Sequence, residues 1–231
     1  MNKSDCMSLY CEGDNVYLRN VQVSDINLIV TWKNDPFVQK MALYPDVAVC
    51  AEDEMQSIKR ALETDNELYV IVVVKETDQP IGYIRVNFWE GQPGCAWLRF
   101  ALGERGKGYG KDAITCVIEH LFEEGFHRID AEVYAFNTIC LSLLTSLGFV
   151  KEGVKREAFF DGEKYTDIVV LGLLRSDFRY RSLKDGGVKR LGGTWKGVTI
   201  TDEDIKESRK ELLKILDSHA AENNKNKRNK K

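Results

Sequence analysis

Between Leu68 and Leu102 the apolar residues fall in three dense blocks, LYVIVVVKE (68–76), IGYIRVNFW (81–89) and AWLRFAL (96–102). Their β-branched and aromatic residues, with partial alternation of apolar and polar positions, predict three strands. Asp78-Gln79-Pro80 and Gly91-Gln92-Pro93-Gly94 are turn sequences, and connections that short join antiparallel neighbours. Upstream, NVYLRN (15–20) predicts a short strand. Ser24 with Asp25 then reads as the cap of a helix carrying Ile26, Ile29, Val30 and Trp32, which Lys33-Asn34-Asp35-Pro36 stops. A second helix is expected from about Ala51 to Leu62.

After Leu102 the period changes. Ala113, Ile114, Val117, Leu121 and Phe122 share one face of a helix over 109–124, ended by Gly125. RIDAEVYA (128–135) alternates as a strand, a helix over 138–147 follows Asn137, and Gly148 closes it. Two last strands, about 149–160 and 164–174, meet at the hairpin turn Asp161-Gly162. The order β, α, α, β, β, β, α, β, α, β, β predicts a mixed α/β (α+β) fold: a mostly antiparallel sheet with one βαβ crossover near its middle. Trp32, Trp89 and Trp97 fall within these elements and read as core or sheet-face residues. Asp161, Glu163 and Asp167 read equally as turn chemistry or as receivers of a cationic amine.

From about Leu183 the composition shifts to Gly, Lys and Arg. Thr201 and Asp204 then form a capping-box-like start to a helix over 202–217, whose apolar stripe is only Ile205, Leu212, Leu213 and Leu216. The organisation expected is an extension at 1–12, a main domain at 13–178, a linker at 179–201, the helix at 202–217, and a basic, Asn-rich tail at 218–231 expected to be disordered.

Composition narrows the function. With 43% apolar residues, 10% aromatic and four prolines, the chain is globular rather than disordered or collagen-like. It holds no run of eighteen apolar residues to span a bilayer, and MNKSDCMSLYCEGDN lacks the apolar region of a secretory signal, so a cytoplasmic protein is expected. The formal net charge of −3 is a cancellation: residues 1–182 carry 20 Lys and Arg against 28 Asp and Glu, whereas residues 183–231 carry 13 against 8. An acidic body attracts cationic ligands, and a basic tail offers at most weak contact to nucleic acid. The six cysteines show no C-x-x-C and the three histidines are scattered, so no metal site is expected; Cys95, Cys116 and Cys140 read as small hydrophobes.

The segment with chemistry in it is Arg105-Gly106-Lys107-Gly108-Tyr109-Gly110, between a strand and a helix. A helix N-terminus presents unpaired N–H groups, glycines let a phosphate approach them, and Arg105, Lys107 and Lys111 add positive charge. Gly108-Tyr109-Gly110-Lys111-Asp112-Ala113 also fits G-x-G-x-x-A, the dinucleotide fingerprint, with Asp130 or Glu132 as the ribose-binding acid and NAD as cofactor. That fold needs several parallel βαβ units, and this order of elements offers one. A P-loop is excluded because no G-x-x-x-x-G-K-[ST] occurs.

R-x-x-G-x-G at 105–110, after a strand and before a helix, resembles the acetyl-CoA pyrophosphate motif of GNAT acetyltransferases. GDNVYLRNVQVSDINLIVTWKNDPFV (13–38) and NTICLSLLTSLGFVKEGVKREAFFDGEKYTDIVVLGLL (137–174) resemble the opening and closing segments of the ribosomal-protein N-acetyltransferase branch, so the resemblance spans about 13–178. It implies helices on both sheet faces, and acetyl-CoA as co-substrate with no metal. It assigns the backbone N–H groups of Arg105, Gly106, Lys107, Gly108, Tyr109 and Gly110 to the pyrophosphate, those of Phe100 and Leu102 to the pantetheine arm, and Asn137 to orienting that arm. The implied reaction is direct attack of an amine on the thioester, with a strand N–H polarising the carbonyl. The sequence departs from the family at two places: Cys95 stands where a general-base glutamate is common, and Leu144 where a general-acid tyrosine is common.

The expected activity is therefore N-acetylation of a primary amine on a cationic acceptor: a protein N-terminus, a polyamine or an aminoglycoside-like amine. Two alternatives remain, a catalytically weakened CoA-binding docking module and an NAD-type oxidoreductase. Residues 190–216 resemble, loosely, C-terminal segments of prokaryotic antitoxins, which implies a protein partner through 190–217; packing on the chain's own domain or homodimerisation accounts for them equally.

Overall fold

The computed structural model describes residues 9–41, 48–89, 91, 94–160 and 162–178, with positions 210, 213, 214 and 217. In chain order the elements are β1 (Leu9–Glu12), β2 (Val16–Asn20), α1 (Ile26–Lys33), α2 (Pro36–Met41), α3 (Ala51–Glu63), β3 (Glu67–Val74), β4 (Gln79–Phe88), β5 (Cys95–Leu102), α4 (Tyr109–Glu123), β6 (Arg128–Tyr134), α5 (Thr138–Ser146), β7 (Val150–Phe160) and β8 (Tyr165–Leu174). They build one eight-stranded sheet in the order β1-β2-β3-β4-β5-β6-β8-β7.

β3 organises the sheet. Seven of its eight residues are buried, because alternate side chains feed two cores. Leu68, Val70, Val72 and Val74 join Ala113, Ile114, Val117 and Leu121 of α4 and Leu144 of α5. Tyr69, Ile71 and Val73 join Ile26 and Ile29 of α1 and Ile58 and Ala61 of α3. Helices therefore lie on both faces, as the family resemblance implies. Among the described residues the one parallel strand pairing is β5 with β6. The mixed, mostly antiparallel fold class holds, and a dinucleotide fold is ruled out. Asp130 and Glu132, the acids that fold would need for ribose, are ion-paired with Arg128 and Lys155 respectively.

Four local readings are corrected. β1 lies within the segment read as an extension and pairs with β2. Asp25 does not cap α1: Val23–Asp25 form a 3₁₀ turn, and the Asp25 carboxylate accepts two bonds from the buried Arg19 guanidinium, at 2.7 and 2.8 Å, and the Gln22 N–H at 2.7 Å. Pro36, read as a stop, also starts a helix. Asp35 Oδ1 accepts the Val38 N–H at 3.0 Å, and Pro36 at the first helical position gives up only a donor that would have no helical partner. Trp89, expected in the sheet, is 51% exposed past the end of β4. Asp167 accepts the backbone N–H of Glu157 at 2.8 Å, a bond across the last hairpin. Asp161, the linker at 179–201 and the tail at 218–231 lie outside the described residues, as does most of the helix expected over 202–217. Positions 210, 213, 214 and 217 are helical, and Asp217 is ion-paired with Lys59 of α3.

The first turn of α4 is anchored to the sheet by Asp112, which is 4% exposed. Its carboxylate accepts the backbone N–H groups of Asp14 (2.9 Å), Asn15 (2.6 Å) and Val16 (3.2 Å). A Cβ on Gly13 would sit 2.5 Å from Asp112 Oδ1, so the chain entering β2 passes where only glycine fits. Asp112→Ala is expected to lower stability by about 3 kcal/mol, from a buried charge-assisted set left without its acceptor. Urea unfolding measures it, and a loss below about 0.5 kcal/mol would mean that the carboxylate is not the anchor.

Candidate functional site

β5 pairs with β4 along its whole length, from Gly82 with Leu102 to Phe88 with Ala96, but with β6 only at Cys95–Arg128, Ala96–Ile129 and Trp97–Asp130. Beyond Trp97 the two strands diverge. Backbone bonds at both ends of the β4–β5 ladder set which edge each residue faces: Trp89 N–H donates to Cys95 O, and Gly103 N–H donates to Ile81 O. Odd-numbered residues of β5 therefore face β4. Leu98, Phe100 and Leu102 turn their backbone groups to the other edge, where β6 no longer follows.

The glycine-rich turn closes one end of the opening. Gly106 and Gly108 have φ of 78° and 80°, the left-handed region where glycine carries no Cβ penalty. A Cβ on either would meet nothing within 4 Å, so the turn presents bare backbone, while a Cβ on Gly110 would come 2.8 Å from Leu102 Cδ1. Gly108 is the N-cap of α4, a helix of 15 residues. The first N–H groups of α4 thus meet the turn beside a half-positive helix end. The cationic side chains flanking it are engaged elsewhere. Arg105 donates to Asp35 Oδ1 at 3.1 Å and stacks 3.8 Å from the Phe37 ring centre; Lys107 donates to Glu104 at 2.9 Å. Hydrogen bonds to the Asp35 carboxylate from the Val38 N–H and then Arg105 hold it below the usual carboxylate range.

Asn137 opens α5 on the opposite side. Its Oδ1 accepts the Cys140 N–H at 3.1 Å and its Nδ2 donates to Met41 O at 3.3 Å, so one side chain caps α5 and ties it to the end of α2. Together these parts line a cavity of about 540 Å³. All nine residues singled out from the sequence border it: Phe100, Leu102, Arg105, Gly106, Lys107, Gly108, Tyr109, Gly110 and Asn137. Leu144 borders it as well, whereas Cys95 does not. Cys95 opens β5 at the end where β6 is still paired, so a thiolate base at that position is excluded from the cavity by topology. Cys140 is on the wall, and burial pushes its thiol up to about 12.

The wall toward α1 and α3 was not read from the sequence. Lys33, Tyr83, Arg85 and Arg99 line it, above a buried Glu54 that accepts from Lys33 at 2.5 Å and from the Tyr69 hydroxyl at 2.8 Å. Arg85 and Arg99 both reach Glu67 Oε1. Burial draws the Lys33 ammonium below its ordinary range, with Glu54 opposing, and raises Tyr83 to about 12. A signal existed: Arg85 and Arg99 stand at alternating positions of two apolar strands, on the face that α1 and α3 cover. The contribution of α2 through Phe37, Val38 and Met41 had no signal, because Pro36 masked the helix. Among the described residues no cluster of metal-ligating side chains occurs, and no helix is long and apolar enough to cross a membrane.

Comparison with known proteins agrees with this architecture. Residues 15–150 match the family model described as an acetyltransferase (GNAT) domain. An uncharacterized N-acetyltransferase p20 of Bacillus licheniformis is 30% identical over 176 residues, covering 74% of this chain and 98% of the relative. Two solved structures share the fold. Spermidine N-acetyltransferase from Vibrio cholerae, in complex with CoA and spermine, is 19% identical with a TM-score of 0.65, covering 71% of this chain and 97% of that one. Ribosomal-protein-S5-alanine acetyltransferase from Vibrio fischeri is 21% identical with a TM-score of 0.64, covering 74% and 98%. With an unpaired strand edge leading to a glycine turn at a helix N-terminus, and these relatives, the chain belongs to the GNAT acetyltransferase family.

Proposed function

We propose that the protein is an acetyl-CoA-dependent N-acetyltransferase that moves an acetyl group to a primary amine by direct attack within a ternary complex. The observation that carries this reading is the parity of β5: Phe100 and Leu102 present backbone groups to the cavity on the approach to the turn at 105–110. The pantetheine arm, which carries amide groups, adds to that edge as a short strand would. The pyrophosphate sits on the N–H groups of Gly106 to Gly110 at the start of α4. The spermidine acetyltransferase that shares this fold is in complex with CoA, which supports the same placement here.

In this reading Asn137 acts by shaping. Both of its polar atoms hold α5 and α2, and the arm passes between these helices and β5. The thioester reaches the region where β5 and β6 part, and a backbone N–H of β5 polarises its carbonyl. The amine attacks as the free base, its proton passes to solvent, and CoA leaves as thiolate or takes a proton from water. With Cys95 outside the cavity and leucine at 144, the rate enhancement rests on orientation and backbone polarisation. The acidic body favours approach of a cationic amine such as a polyamine or a protein N-terminus. Asp217 is ion-paired with Lys59 of α3, a contact between this described residue and the chain's own domain.

Gly108→Asp puts a side chain and a negative charge at a left-handed position facing the pyrophosphate site. It is expected to weaken acetyl-CoA binding by at least about tenfold, with NAD giving no heat in a parallel calorimetric titration. Unchanged acetyl-CoA affinity would contradict the placement. Cys140 supplies a second check. Its raised thiol is expected to react with iodoacetamide at pH 8 more slowly than the exposed Cys50, to speed up as pH rises toward 12 and the thiolate fraction grows, and to be shielded by acetyl-CoA. Equal labelling of Cys140 with and without acetyl-CoA would place the cofactor elsewhere.

A further inference from the structure

One face of α4 runs along the first strand of the sheet. Asp112, Cys116 and His120 follow one another at four-residue intervals in the helix and so lie along that face. His120 packs on Tyr10 with ring centres 4.3 Å apart. A side-chain hydrogen bond joins Cys116 to Cys11, and Asp112 accepts the N–H groups of residues 14 to 16. Strand and helix therefore run in opposite directions, in contact at both ends, with two thiols between. A regular strand would not present Tyr10 and Cys11 to the same helix, because neighbouring side chains point to opposite faces. β1 is bulged: Leu9 pairs with Arg19 and Cys11 with Leu18, which leaves Tyr10 as the extra residue. Leu18 belongs to the core that α4 covers, and both Tyr10 and Cys11 pack against that core. Cys116 is buried, Cys11 is half-buried, and neither is in a disulfide.

We propose that Cys11 and Cys116 are a redox pair, which a low-molecular-weight disulfide such as oxidised glutathione converts into a disulfide that fastens β1 to α4. The thiolate of the half-buried Cys11 attacks the small disulfide, forming a mixed disulfide and releasing one small thiol. Cys116 then attacks the Cys11 sulfur and displaces the second, which leaves the bond between Cys11 and Cys116. Two protein thiols are oxidised, one small disulfide is reduced to two thiols, and the two protons end on those thiols. The contacts on either side hold the cysteines together beforehand, so the second step is intramolecular and pre-aligned. The bond closes a loop of roughly a hundred residues, which restrains the unfolded chain. What it guards is an edge. β1 has four residues and, among the described residues, pairs with β2 alone; its detachment would bare the edge of β2 to pairing with other chains. Burial, then the adjacent Cys116 thiol and the Glu119 and Asp112 carboxylates, push the Cys11 thiol up, so closure is expected to be faster at about pH 9 than at about pH 7.

The test is peptide mapping of the full-length protein. It is held for about a day at about pH 9 with about 1 mM each of oxidised and reduced glutathione. Remaining thiols are then blocked with iodoacetamide and the digest is read by mass spectrometry. A peptide pair linking Cys11 to Cys116 is expected in most of the molecules, removed by dithiothreitol, and absent from Cys11→Ser and Cys116→Ala. The linked protein is expected to unfold at a higher urea concentration than the reduced protein, and the shift to vanish on reduction. A linked pair in only a minority of molecules would overturn the proposal. So would Cys11 joined mainly to another cysteine or left capped by glutathione, since the pair would then not close. A lower urea midpoint for the linked protein would also overturn it, because the bond would be pulling strand and helix apart from their packing. If a variant does not fold, the map and the urea midpoints of the wild-type protein decide alone.

Discussion

The cavity exists because pairing between β5 and β6 stops after Trp97–Asp130. A parallel pair that continued would satisfy both edges of β5 and leave neither space nor free backbone between them. Divergence creates the opening and supplies its polar lining, since the groups of Leu98, Phe100 and Leu102 face a strand that has moved away. The remaining features bound that opening: a glycine turn at the α4 N-terminus, and a wall lined by Lys33, Arg85 and Arg99 beneath α1 and α3.

Keeping two strands apart requires rigid neighbours. β3, buried on both faces, ties the two cores together. Asp112 fixes the first turn of α4 to the entry of β2, so the end of that helix at the glycine turn is held from behind. Asp35 serves two elements at once, with its Oδ1 bonded by the Val38 N–H and by Arg105. Asn137 does the same for α2 and α5. The turn, α2 and α5 are therefore tied to one another, which pre-organises the surface between them.

Much of this was legible because it is local. Period-two runs and helical stripes marked every strand from β2 to β8 and four of the five helices, and the glycine motif with its flanking segments marked the cavity's rim. What was hidden depends on partners distant in sequence. Asp112 looked like part of a dinucleotide fingerprint until three N–H groups from residues 14–16 arrived at it. Asp25 looked like a cap until Arg19 took its carboxylate. Pro36 marks a helix end or a helix start depending on whether Asp35 faces the next turn. Arg85 and Arg99 read as ordinary strand residues, and only the β4–β5 register puts them side by side on the cavity wall.

Amide hydrogen exchange, followed residue by residue with and without acetyl-CoA, tests the central claim most directly. The account expects new protection at Phe100 and Leu102 on the free edge of β5 and at the turn and helix start from Gly106 to Gly110, with Ala101, already bonded to β4, little changed. Protection confined to other strands, or no change at Phe100, Leu102 and Gly106 to Gly110 at saturating acetyl-CoA, would contradict it.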